Sequence, residues 1–176
     1  METAAILYDA FERVREGVRR VTDGLDADAL AFRPDADANP IAWLVWHGTR
    51  VQDDHVAEIA GREQAWSADG WAARFALPLD PADTGYGHTS EQVGAVRVDD
   101  PELLVGYQEA VAARTVAYLD TIDAAELHRV IDERFDPPTT VGVRLVSVVG
   151  DQLQHLGQAA YVRGLWERRA LGRAGG

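Results

Sequence analysis

Apolar residues recur along much of the chain at alternating spacings of three and four, the pattern of amphipathic helices. A first helix is predicted from Thr3 to Thr22, and its apolar stripe consists of Leu7, Phe11, Val14, Val18 and Val21. A second helix is predicted from Pro40 to Ala60. Asn39 is placed to cap its N-terminus, and Gly61 is placed to end it.

Two further helices are predicted in the second half of the chain. The third begins at a capping Asp100, has Pro101 in its first position and reaches Ile122. The fourth is predicted over 140–169, after the sequence FDPPTT. Because its residues are apolar on nearly every side, we expect this helix to be the buried one.

The segment between the second and third helices, residues 62–99, is far longer than an ordinary connection. It is rich in aromatic residues and glycines, and short helices are predicted within GWAARFA and SEQVGAV. A connection of this length allows the helices before and after it to run parallel. The pattern therefore predicts an all-α protein, a four-helix bundle with one long crossover, as a single domain spanning residues 1–176.

Composition narrows the chemistry that is available. The net charge of −12 argues against nucleic acid or an anionic membrane as a partner. No apolar run is long enough to span a membrane, and we expect a cytoplasmic protein. Cysteine and lysine are both absent, which excludes thiolate nucleophiles, thiolate metal sites and Schiff bases. Chemistry must therefore come from carboxylates, imidazoles, arginines or a bound metal.

Polar residues share one face of the fourth helix. At about 100° per residue, Arg144, Asp151, His155 and Gln158 point to the same side, and this set is unusual in so apolar a helix. Buried acids and imidazoles are costly unless they are paired or bind a metal. His47 lies on the stripe of the second helix and can reach the acid and the imidazole if the two helices pack about 8–10 Å apart.

His47, Asp151 and His155 together have the composition of an open, catalytic-type site for a divalent metal. Simpler explanations exist, because an acid four residues before a histidine is a common helical pair and a single histidine is often a core residue. Gln158 could orient a ligand from one turn away, or it could make a hydrogen bond between helices. No catalytic residue is assigned on these grounds.

Five other acidic or histidine residues are not assigned to the metal site. Asp53, Asp54 and His55 could line a pocket, but a solvated or helix-packing role is favoured. His88 and His128 lie in contexts typical of loops, and we expect both to be surface residues.

The segments AWLVWHGTRVQDDHVAEIAG and GVRLVSVVGDQLQHLGQAAYVRGL resemble the DinB/YfiT-like superfamily. The resemblance implies a four-helix bundle, commonly a homodimer, that holds a divalent metal (zinc, or nickel in purified material) through three side chains. Carried onto this chain, those ligands are His47, Asp151 and His155. Many members have His at the position of Asp151, and the mycothiol-dependent maleylpyruvate isomerase branch has Glu.

Several branches of the superfamily are S-transferases or isomerases that use mycothiol or bacillithiol. A chain without cysteine must borrow its nucleophilic sulfur, and arginine without lysine is typical of a GC-rich genome, which favours the actinobacterial thiol mycothiol. The resemblance thus implies a metal-dependent enzyme acting on a small thiol and an electrophile, with Arg144 pairing with an anionic group of the cosubstrate. A metal-hydroxide hydrolase and a non-catalytic metal-binding or structural bundle stay open as alternatives.

Overall fold

Four long helices make up most of the protein, whose computed structural model describes residues 3–174. They are α1 (Thr3–Thr22), α3 (Ile41–Ala60), α7 (Pro101–Leu119) and α9 (Val141–Ala174). The shorter elements within the described residues are α2 (Ala27–Ala31), α4 (Ala65–Ala68), α5 (Trp71–Phe75), α6 (Ser90–Ala95), α8 (Ala124–His128), β1 (Val130–Asp132) and β2 (Thr139–Thr140). The predicted all-α bundle is confirmed, and α5 and α6 lie within the two predicted short helices. The sequence pattern does not predict α2, α4, α8 or the small antiparallel pair of strands.

The helices are arranged so that α3 lies between α7 and α9, with α1 on the opposite side of the bundle. Thr49 of α3 donates a hydrogen bond to Gln108 of α7 at 2.8 Å. One turn further along α3, Gln52 donates to Thr115, further along α7, also at 2.8 Å. Because the contact points advance together, α3 and α7 run parallel. The crossover of residues 62–99 connects them, as its length predicts.

The helix ends agree with the predictions in part. Asp100 caps α7 by accepting the N–H of Glu102, and Gly61, with φ of 61°, ends α3. The prediction that Asn39 caps α3 is wrong, because Pro40 itself occupies the capping position with an extended backbone and without a side-chain hydrogen bond. Helix α7 also stops before the predicted Ile122.

The buried helix is α3 and not α9. Fifteen of the 20 residues of α3 are buried. In contrast, α9 exposes Val146 at 64% and Leu153 at 46% of their surface. The expectation that the fourth helix is buried all round is therefore wrong. The physical reason is that α9 packs mainly against α1 and α3, so apolar residues on the side that faces away from both helices stay exposed.

A layer of buried amides fixes α3 against its neighbours. Gln52 accepts hydrogen bonds from Gln108 of α7 at 3.1 Å and from Gln152 of α9 at 2.9 Å. These side chains and Thr115 are each no more than 1% exposed. We call these four residues the amide layer. Since each polar group needs its partner in an apolar core, the layer specifies how α9 is rotated about its axis relative to α3.

Among residues 3–174, no helix has the combination of length and apolarity that crossing a membrane requires.

Candidate metal centre

Helices α3 and α9 bring His47, Asp151 and His155 together. One potential ligand atom from each side chain lies within 4.8 Å of the other two. The rings of the two histidines meet edge to face with their centroids 4.9 Å apart. His155 Nε2 lies 3.5 Å from Asp151 Oδ1. The three side chains predicted as ligands therefore form one cluster where the two helices are in contact.

Hydrogen bonds leave one nitrogen of each imidazole free to coordinate. His47 Nδ1 lies 2.5 Å from the carbonyl oxygen of Thr84. Because a carbonyl only accepts, Nδ1 carries the proton and Nε2 keeps its lone pair. His155 Nδ1 lies 3.2 Å from Oε1 of the exposed Gln158, which assigns the same tautomer to that ring. An outer N–H held by an oxygen is the usual arrangement of a metal-binding histidine.

Asp151 provides the clearest indication that the cluster could hold a cation. Its Oδ2 atom is buried and has no hydrogen-bond partner among residues 3–174. A buried acceptor without a partner costs free energy, and a divalent cation would satisfy it. Ligand atoms about 2.0–2.2 Å from a tetrahedral zinc lie roughly 3.3–3.6 Å apart, and the 3.5 Å between Asp151 Oδ1 and His155 Nε2 is within that range. The donor set of two imidazoles and one carboxylate fits a divalent metal.

The electrostatics of the cluster differ between its two histidines. Burial lowers the pKa of His47, which favours the neutral form that coordinates metal. Hydrogen bonding between Asp151 and the protonated form of His155 lowers the pKa of Asp151 and raises the pKa of His155. A proton therefore competes with a cation more strongly at His155 than at His47.

Aromatic rings and a third histidine, His88, cover the α3 side of the cluster. The Trp43 indole stacks on His47 at 4.5 Å with an interplanar angle of 16°. Its Nε1–H donates to His88 Nδ1 at 3.0 Å, and His88 Nε2 lies 2.8 Å from Asp83 Oδ2. The side chain of His88 is only 2% exposed, so the expectation of a surface residue is wrong. The crossover folds back over α3 and buries this ring against Trp46.

Gly85 marks how closely the crossover approaches His47. Its φ is +92°, and a Cβ atom there would lie 2.8 Å from His47 Nδ1 and 3.1 Å from Trp46. Only glycine fits such a position without displacing the imidazole. The sequence pattern does not identify Thr84, Gly85 or His88 as part of the site. The sequence feature that could have indicated these residues is TGYGH, which lies inside a crossover rich in aromatic residues.

Arg144 lies towards α3 but outside the cluster of ligand atoms. Its Nη1 donates to His55 Nδ1 at 2.9 Å and to Glu58 at 3.1 Å. The guanidinium is thus already paired with a carboxylate. An anionic cosubstrate would have to compete with Glu58 for it.

The acids of α3 have packing roles. Buried Asp53 accepts the backbone N–H groups of Ala65 at 2.9 Å and Trp66 at 2.8 Å, together with the hydroxyl of Tyr107 at 2.8 Å. It therefore holds α4 and α7 against α3. Asp54 accepts a hydrogen bond from Gln64.

Comparison with known proteins agrees with the fold. The sequence model of the DinB superfamily matches residues 10–159, a range that includes all three candidate ligands. The crystal structure of a conserved protein from Enterococcus faecalis superposes with a TM-score of 0.87 at 31% identity, over 93% of this chain and 96% of that chain. No match to a curated protein was found. From the extent of the match, the chain belongs to the DinB superfamily.

Proposed function

We propose that the protein binds a divalent metal through His47, Asp151 and His155 and acts as a mycothiol-dependent S-transferase or isomerase. The observation that supports the metal site is the buried Asp151 Oδ2, which has no hydrogen-bond partner among residues 3–174, beside two imidazoles whose Nδ1 atoms face oxygen acceptors. The proposed metal is zinc, with nickel as an alternative, since both accept imidazole and carboxylate ligands.

The ligand set explains what such a metal would contribute. Two neutral imidazoles and one carboxylate balance only one of the two positive charges of the ion, and three protein ligands leave room for a further one. When bound, the cation would supply Lewis acidity that lowers the pKa of a coordinated thiol or water.

The surrounding residues decide from which side a small molecule can approach. His47 is 7% exposed, because Trp43 and the crossover cover it, whereas the side chain of Asp151 is 38% exposed. The open side of the centre is therefore the α9 side. Arg144 lies on that same helix two turns before Asp151, where an anionic group of a cosubstrate could exchange with Glu58.

The absence of cysteine and lysine supports the thiol part of the proposal. The chain has no side-chain thiol or amine that could serve as a nucleophile. A low-molecular-weight thiol would supply the missing nucleophile, and the superfamily includes proteins that use one. The small-molecule partners and the homodimer implied by the resemblance stay predictions.

The metal site is tested first, by elemental analysis of protein purified without a nickel column. We expect about one equivalent of zinc or another divalent metal in the wild type, and its loss from His47→Ala and His155→Ala. His128→Ala is the matched control, because it removes an exposed histidine from α8. Unchanged metal content in both ligand variants would show that the assignment is wrong.

The activity is tested by conjugation of mycothiol to a model electrophile with apo and zinc-loaded protein. We expect turnover to require both the thiol and the metal, and to be lost with a chelator. Consumption of the electrophile at equal rates with and without thiol would refute the transferase and favour a hydrolase at the same site.

A further inference from the structure

One short segment of the crossover covers the imidazole of His47. It is DTGYGH, residues 83–88, and we call it the covering segment. Asp83 Oδ1 accepts the N–H of Gly85 at 2.8 Å, which holds the segment in a turn. The fully buried Arg50 donates from Nε to the carbonyl of Asp83 at 3.2 Å. The segment is thus fixed to α3 by contacts that are independent of the candidate ligands.

The covering segment contacts His47 directly through Thr84. The Thr84 carbonyl accepts the proton of His47 Nδ1, and this hydrogen bond determines which nitrogen is available to a cation. Gly85 allows the backbone to come this close. The segment therefore influences both the tautomer and the tilt of the ring.

A second contact reaches His47 through three side chains. Tryptophan can only donate, so His88 Nδ1 must accept from Trp43 and His88 Nε2 must carry the proton that bonds to Asp83. A single protonation arrangement satisfies the hydrogen bonds that link Asp83, His88 and Trp43. This series of contacts ends at the Trp43 indole, which stacks on the His47 ring.

We infer that the covering segment orients His47 for metal binding, and that His88 is a positioning residue that acts through the indole of Trp43. The inference rests on the proposed metal site. It predicts that removing either hydrogen bond of His88 loosens the indole, and with it the imidazole, while all three ligands stay in place. Loss of a hydrogen bond made directly to a metal ligand typically lowers metal affinity by about 10–100-fold, and we expect the indirect effect of His88 at the lower end of this range.

A double-mutant cycle tests this coupling, with Co²⁺ as the probe. His88→Phe keeps a ring to stack on Trp46, and Trp43→Phe keeps a ring to stack on His47, but both remove the hydrogen bond between the two residues. We expect each single variant to bind Co²⁺ about tenfold more weakly and to show an altered visible absorption spectrum, which reports on coordination geometry. The double variant should be no weaker than the singles, because both changes break the same contact.

Two further variants separate positioning from general damage. His128→Phe makes the same chemical change at an exposed histidine and should leave Co²⁺ affinity and spectrum unchanged. His88→Gln keeps a donor and an acceptor, and it should bind Co²⁺ more tightly than His88→Phe. The melting temperature of each apo variant shows that affinity is measured on folded protein.

The outcomes are distinguishable. A wild type that binds no Co²⁺ would overturn the metal site and this inference together. If the wild type binds Co²⁺ and both phenylalanine variants bind it equally well with the same spectrum, the metal site stands and the positioning role of His88 is refuted. Additive losses in the double variant, or equally weak binding by His88→Gln and His88→Phe, would also refute it.

Discussion

Gly48 of α3 lies against Gln152 of α9, so its replacement by alanine tests the contact between the two helices that carry the candidate ligands. A Cβ atom there would lie 2.5 Å from Gln152 Oε1 and 3.2 Å from its Cδ. Such distances are well below van der Waals contact, so the Gln152 side chain has to move. Gln152 is 1% exposed and donates to Gln52 in the amide layer. It cannot move without disturbing that layer.

The expected cost combines three contributions. Overpacking a filled core costs about 1–3 kcal/mol, and a buried hydrogen bond left without one partner costs a further ~1–3 kcal/mol. Alanine is favoured over glycine inside a helix by ~1 kcal/mol, which offsets part of this. We expect Gly48→Ala to lower the free energy of unfolding by about 2–3 kcal/mol. For a chain of this size that corresponds to a drop of roughly 5–10 °C in melting temperature.

Urea and thermal denaturation measure this effect on Gly48→Ala, on Gln152→Ala and on the double variant. The double variant should lose less stability than the sum of the singles, because the alanine at 152 removes the atoms that clash. Gly150→Ala in α9 is the matched control. A Cβ there would meet nothing within 4 Å, so it should be neutral or stabilising by up to ~1 kcal/mol. If Gly48→Ala is as stable as the wild type, or if the two changes are additive, Gln152 does not restrict the space beside Gly48.

Two further predictions concern stability away from the metal centre. Asp53→Ala should lower the free energy of unfolding by about 3–5 kcal/mol in urea, because it leaves the buried Arg50 without its nearby carboxylate; a similar loss in the half-exposed Asp54→Ala would contradict this. Hydrogen bonds from Arg129 lower the pKa of Glu126 from 4.5 to about 2, so the unfolded state binds more protons in that interval and the stabilisation is lost as the pH falls. The wild type should therefore be more stable than Glu126→Gln at pH 7, and the difference should disappear between pH 4.5 and pH 2; a difference independent of pH would refute the assignment.

The sequence predicts the long helices and the cluster of candidate metal ligands for the same reason. Helical periodicity determines which residues share a face, so Asp151 and His155 are placed together as soon as the helix is assigned. His47 joins them because it lies on the apolar stripe of a helix that must pack inward. These deductions require only the periodicity of each helix and the packing of one helix against the other.

The covering segment could not be predicted in this way. The path of an irregular segment depends on tertiary contacts such as those of Arg50 with Asp83, which no local spacing reveals. His88 is consequently buried although its neighbours in sequence are polar or glycine. The exposure of Val146 in α9 has a related cause, since an apolar pattern indicates the capacity for burial and not the number of helices that pack around it.

The placement of the candidate ligands on α3 and α9 has a thermodynamic consequence. These helices are separated in sequence by the crossover and α7, so the complete set of three ligands exists only when the bundle is folded. A cation held there would bind the native state almost exclusively, and by mass action it would stabilise the fold by ~2.7 kcal/mol at a free concentration one hundred times its dissociation constant. The melting temperature would then rise with the free metal concentration. The fraction of folded protein would therefore depend on how much of the ion is available.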